Sequence, residues 1–225
     1  MDSSEDALRL SLALLGVAAL VIQSEHVAAR RGLGLPTSTG ARLLVCVAAL
    51  GTVVAPTWPT AAAAGATLSC GLAILYHNAP EGLDTADAEL WVFVTLCALG
   101  AASPSAASAA VKAIIASLSF VYLFASLNKI RSSVWRNGLA FSHILAGSDS
   151  ALSSWVRSWR PLVAQAAAWS VIVVQLGAVV TVAGGDARRA WYIVAMMFQA
   201  FVAFGLGIPS FFVVGCAVAP VMLRT

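Results

Sequence analysis

Lys129 stands at the end of one of the most apolar stretches of the sequence, and Ser119, Tyr122 and Ser126 precede it at intervals of three, four and three. Those intervals put all four on one face of a helix, with Lys112 on the same face two turns earlier. A charged lysine at bilayer depth costs ~3 kcal/mol or more, so a lysine kept there is expected to face a bundle interior or a water-filled cavity. Desolvation favours the neutral amine, and a neutral amine is a competent general base. Tyr122, two turns back, is placed to orient a ring-shaped ligand or to share a proton. The same residues have a plainer reading. Serine in a membrane helix permits close packing, tyrosine favours the interface, and a lysine at a helix end reaches back to the headgroups. Residue types alone leave both readings open.

The elements that must position this stripe follow from composition. Hydrophobic residues make up 60% of the 225, charged ones 10%, and the mean hydropathy is +0.88. Such a chain is expected to be an all-α, polytopic transmembrane bundle, one domain over 1–225 with no soluble domain attached. Seven apolar segments can be drawn, over 8–27, 41–55, 60–77, 89–102, 108–129, 161–183 and 190–221. The second and fourth are shorter than the ~20 residues a helix needs to span, so six is the alternative count. Gly and Pro mark the breaks: Pro56 and Pro59 around Trp58, Pro80, Pro104, and the "GGDARR" run read as a membrane-surface anchor. The acidic N-terminus argues against a cleaved signal peptide, whose leading region is basic.

On seven spans, Arg30, Arg31, Arg42, Lys129, Arg131, Arg136, Arg157, Arg160 and Arg224 fall on one side, against Arg9, Lys112, Arg188 and Arg189. The excess marks the first side as cytoplasmic, with the N-terminus outside. Between spans five and six, Trp135, Trp155 and Trp159 alternate with Arg136, Arg157 and Arg160. Both residue types favour the headgroup layer, so this segment is expected to lie along the membrane.

"VYLFASLNKIRSSVWRNGLAF", from Val121 to Phe141, resembles the signature of the horizontally transferred transmembrane domain family, in which a Tyr-led apolar turn runs into Lys, Trp and Gly. That family includes the vitamin K-dependent gamma-glutamyl carboxylase and short bacterial proteins similar to sporulation-delaying protein B. "MMFQAFVAFGLGIPSFF", from Met196 to Phe212, is similar to the family's closing helix, so the resemblance covers 113–223. It implies that Lys129 is the base toward a reduced quinone, with Asn128, Trp135 and Gly138 completing the signature and fixing the turn. Two positions depart from the family. Gln199 stands where a His tends to follow Phe, and Gln175 where the preceding span often has Glu. Glutamine exchanges hydrogen bonds but takes up no proton near neutral pH. With the sequence closing at Thr225, the carboxylase's large lumenal domain is expected to be missing.

His143, five residues beyond Gly138, is a further candidate near the site. His26 and His77 read as interfacial residues, and "EGLDTADAE" as a solvated acidic loop without EF-hand spacing. Cys46, Cys70, Cys97 and Cys216 each stand alone in an apolar segment and read as packing residues, so no metal site is expected. No basic run with interleaved aromatics points to nucleic acid.

Two functions compete. One is a membrane enzyme using Lys129, with Tyr122 and Gln199, on a lipophilic ring or in maturing a small secreted peptide. The other is a non-catalytic accessory or immunity-type component in which Lys129 anchors a helix. A transporter ranks below both, because no pair of broken, repeated helices is evident. The alanine-rich composition points to a bacterial plasma membrane.

Overall fold

The computed structural model of the chain describes residues 3–32, 85–146, 161–206 and 210–224. The second and third apolar runs, Cys46, Cys70, His77, Trp155, Arg157, Trp159 and Arg160 lie outside the described residues, as does the side chain of His26. The described elements are α1 (Ser3–Gly32), α2 (Thr85–Ala102), α3 (Pro104–Arg131), α4 (Ser133–Arg136), α5 (Leu139–Ala146), α6 (Pro161–Leu176), a 3₁₀ segment (Gly177–Ala183), α7 (Gly185–Leu206) and α8 (Ser210–Arg224). Among the described residues there is no strand.

Proline and glycine set the boundaries. Pro104 and Pro161 each open a helix, where a missing N–H costs nothing and the fixed φ suits the first turn. The apolar run over 190–221 holds α7 up to Leu206 and α8 from Ser210, and residues 207–209 between them lie outside the described residues. Helix also begins earlier than the acidic stretch suggested. Asp87 and Glu89 belong to α2, not to a loop.

Two stretches among the described residues, Ser105–Arg131 and Pro161–Ala183, are long and apolar enough to cross a bilayer, with hydropathies of 1.9 and 2.0. The chain divides into two units, one of Met1–Ile114 with Val213–Thr225 and the other of Ile115–Phe212. In the first, α1 packs on α2. Leu8, Leu12, Leu15 and Ile22 are fully buried there, as are Phe93, Val94 and Cys97. Cys97 is thus a packing residue, whereas Cys216 on α8 is exposed. In the second unit, α4 and α5 pack on α6, and α6 and the 3₁₀ segment pack on α7.

The α-helix of α6 tightens to 3₁₀ at Gly177, and the indole of Trp191 explains how the backbone is satisfied there. Its Nε1 donates to the carbonyl of Val174 at 2.8 Å. A Cβ on Gly177 would lie 2.7 Å from Trp191 Cδ1, so only glycine lets the ring approach. The carbonyl at the end of the regular helix thereby keeps a donor.

Helix α7 distributes its residues in an unusual way. Its buried face carries Arg188, Trp191, Tyr192, Ala195, Gln199 and Ala203, while Ile193, Val194, Met197 and Phe204 are exposed, the last at 79%. Spacings of three and four define both faces. Arg188 and Gln199 thus point in, while Ile193, Val194, Met197 and Phe204 point out.

Candidate functional site

The polar stripe of α3 faces inward over most of its length. Ser119 and Ser126 are buried, and Tyr122 is 9% exposed. Each serine returns a hydrogen bond to the backbone, Ser119 Oγ to the carbonyl of Ile115 and Ser126 Oγ to that of Leu123, both at 2.7 Å. Ser119 Oγ also bonds Thr181 Oγ1 of the 3₁₀ segment. Lys112 departs from the stripe and is exposed.

Tyr122 and Gln199 meet. Gln199 Nε2 donates to the Tyr122 hydroxyl at 2.9 Å, with both side chains buried. The Tyr122 ring packs edge-on against Trp191, with centroids 5.6 Å apart. A buried phenol needs a hydrogen-bond partner for its hydroxyl, and Gln199 supplies one. Gln199→Leu should therefore lower the unfolding free energy by about 1 kcal/mol, a modest value because polar groups in apolar media find substitute partners. Thermal unfolding in detergent, compared with Tyr122→Phe and the double variant, measures it. Additive single effects would show that the bond contributes nothing.

Lys129 lies two turns beyond Tyr122 and is half-buried. Its Nζ is 4.9 Å from the centroid of the Trp135 ring. Among the described residues, the ion pairs are Arg9 with Glu5 and Arg189 with Asp186, so no described carboxylate holds the lysine. An aromatic face contributes about 0.5–2 kcal/mol to a cation, and the C-terminal turn of α3 adds to it. Asn128 is exposed, and its carbonyl shares the N–H of Ser132 with that of Lys129, at 3.1 and 3.2 Å.

The turn after the lysine places Trp135. Asn137 N–H donates to Ser133 O and Gly138 N–H to Trp135 O, closing α4 before α5 starts. Gly138 has φ +75°, and a Cβ there would lie 2.5 Å from the backbone nitrogen of Gln165 in α6. Gln165 in turn donates from Nε2 to Arg136 O at 3.0 Å. Trp135 then packs with Ile144, Ala167 and Val202 on the buried pair Phe141 and Ala168. Beside it runs an apolar groove of about 350 Å³, lined by Phe141, Val163, Ala166, Ala167, Ser170, Phe198 and Phe201.

His143 is exposed on α5. Gln175 is half-buried, with an Oε1 that has no hydrogen-bond partner. The reading of "GDARR" as a surface anchor needs correction: Arg189 is exposed and pairs with Asp186 at 3.4 Å, but Arg188 is only 6% exposed. Its position on the face shared with Trp191 and Tyr192 turns it inward. Among the described residues, no group of three or more His, Cys, Asp or Glu side chains is arranged to hold a metal ion.

Sequence reasoning missed Trp191, Thr181 and the groove. Their contacts join residues far apart in the chain, and helical periodicity carries no information about which helix a face will meet. Comparison of the chain with protein-family models, with curated proteins and with solved structures gives no match.

Proposed function

We propose that this chain is an integral membrane protein of the horizontally transferred transmembrane kind, acting in the maturation of a small secreted peptide or on a lipophilic ring, with Lys129 as its base. The observation that supports it most is the meeting of Tyr122 with Gln199 across 77 residues of sequence. Tyr122 lies within the Lys/Trp/Gly signature, and Gln199 is the closing-helix position at which the family tends to carry His. Bilayer insertion is supported by the inverted surface of α7 and by the two long apolar stretches, since lipid-facing helices carry apolar residues outward and polar ones into the bundle. The seven-span count and the N-outside orientation belong to the same proposal, as does a bacterial plasma membrane.

In this reading the buried Tyr122 and Gln199 form a neutral polar floor that positions a ring or carbonyl group by hydrogen bonds. Lys129 at the end of the stripe removes a proton from the bound molecule. No described carboxylate pins the proton on its amine, and Trp135 offers a weak, exchangeable contact. A reduced quinone suits such a site, being a flat ring with an acidic hydroxyl. Glutamate carboxylation does not follow, because Gln199 supplies no proton-accepting imidazole.

The second reading, a non-catalytic accessory or immunity-type protein, is favoured by that same Lys129 and Trp135 contact, which also describes an anchor. Fractionation and mutagenesis separate the possibilities. The protein should stay with the membrane pellet through a carbonate wash and leave it only in detergent. Recovery of monodisperse protein in the wash would remove the membrane reading. Quinol-dependent incorporation of carbon dioxide into a glutamate peptide would show that the histidine is dispensable.

A further inference from the structure

Arg188 is 94% buried by side-chain and backbone surface together, being 6% exposed, and neither its Nε nor its Nη2 has a hydrogen-bond partner. A buried guanidinium without an anion is among the most costly arrangements a fold can hold, because desolvation is uncompensated. Its surroundings along the chain make this worse. Arg188 lies in the opening turn of α7, where the helix dipole is positive and the first N–H groups have no intrahelical acceptor. Arg189 adds a second positive charge beside it. The nearest acid in sequence, Asp186, has a fully exposed side chain and bonds Arg189 instead.

We propose that Arg188 is the centre of a binding site for a phosphate group at the start of α7. Arg188 brings two unpartnered guanidinium nitrogens to the opening turn of a 22-residue helix, and both the guanidinium and the first N–H groups of a helix favour the same kind of ligand. The planar fork of arginine matches the tetrahedral face of a phosphate, which accepts two parallel hydrogen bonds from it. The site stands apart from Lys129: the stripe runs from Ser119, bonded to Thr181 just before α7, to Lys129 at the far end of α3. It does not depend on the function proposed for the lysine. The phosphate belongs either to a lipid headgroup or to a free ion, and one set of measurements separates these.

Protein purified in dodecyl maltoside, which carries no phosphate, is unfolded thermally with sodium phosphate or with sodium chloride at matched ionic strength. In parallel it is unfolded in nanodiscs of phosphatidylglycerol or of a phosphate-free galactolipid. A midpoint higher by about 3 °C or more in phosphate over chloride, absent in Arg188→Gln and retained in Arg189→Gln, assigns a free phosphate. A rise confined to phosphatidylglycerol, with the same dependence on the two arginines, assigns a lipid headgroup. No rise in either medium, or a rise that survives in Arg188→Gln, overturns the proposal. Should Arg188→Gln fail to fold, Arg188→Lys carries the comparison. Its affinity for the phosphate group should fall about tenfold, since lysine keeps the charge without the fork, and an unchanged affinity overturns the site.

Discussion

Gly138→Ala should leave little folded protein. Two independent penalties meet at this residue. Its φ of +75° lies in the left-handed region, where a Cβ costs roughly 1–2 kcal/mol. The added carbon would also stand 2.5 Å from Gln165 N and 2.8 Å from Ala164 C, both backbone atoms of α6 that cannot rotate away. Forced overlap of that kind adds about 1–3 kcal/mol. Together they approach a large share of the stability of an ordinary domain. The consequence reaches the site, because Gly138 aligns Trp135 beneath Lys129 and seats Phe141 against Ala168. Membrane abundance and detergent monodispersity of Gly138→Ala measure the effect. Ala140, half-buried in the next turn, provides a comparison through Ala140→Gly, which carries only the helix-propensity cost of about 1 kcal/mol. Equal abundance of the two variants would show that the approach of α6 relaxes.

The inward direction of Ser119, Tyr122 and Ser126 was legible in the sequence because it depends only on helical spacing. So was the extent of the stretch 161–183, bounded by Pro161 and the "GG" of Gly184 and Gly185, and the glycine at 138 that the turn requires. What was not legible depends on partners. The residue types of Arg188 and Arg189 do not tell them apart, yet one turns inward with Trp191 and Tyr192 and the other pairs with Asp186 in the open. The switch of α6 to 3₁₀ has its visible reason in Trp191, fourteen residues beyond Gly177.

Lys129→Met should abolish the biological activity of the protein while leaving its abundance close to wild type. The amine is half-buried and has no described carboxylate partner, so its removal strips no counter-ion of its charge. Loss of the contact with Trp135 costs about 0.5–1 kcal/mol, too little to unfold the protein. Methionine retains most of the apolar stem and packs readily. A fall in activity without a fall in abundance therefore places the amine in the function rather than in the fold.

Lys129→Arg separates a base from an anchor. Arginine keeps the positive charge, stacks on an aromatic ring at least as well as lysine, and reaches the same headgroup layer. It cannot be deprotonated in a protein, so it cannot act as a base. The decisive measurement is the phenotype of a strain whose own copy of the gene carries Lys129→Arg, with membrane abundance followed by immunoblot. Base chemistry predicts the phenotype of a full deletion at normal abundance, and wild-type behaviour in that strain would contradict it.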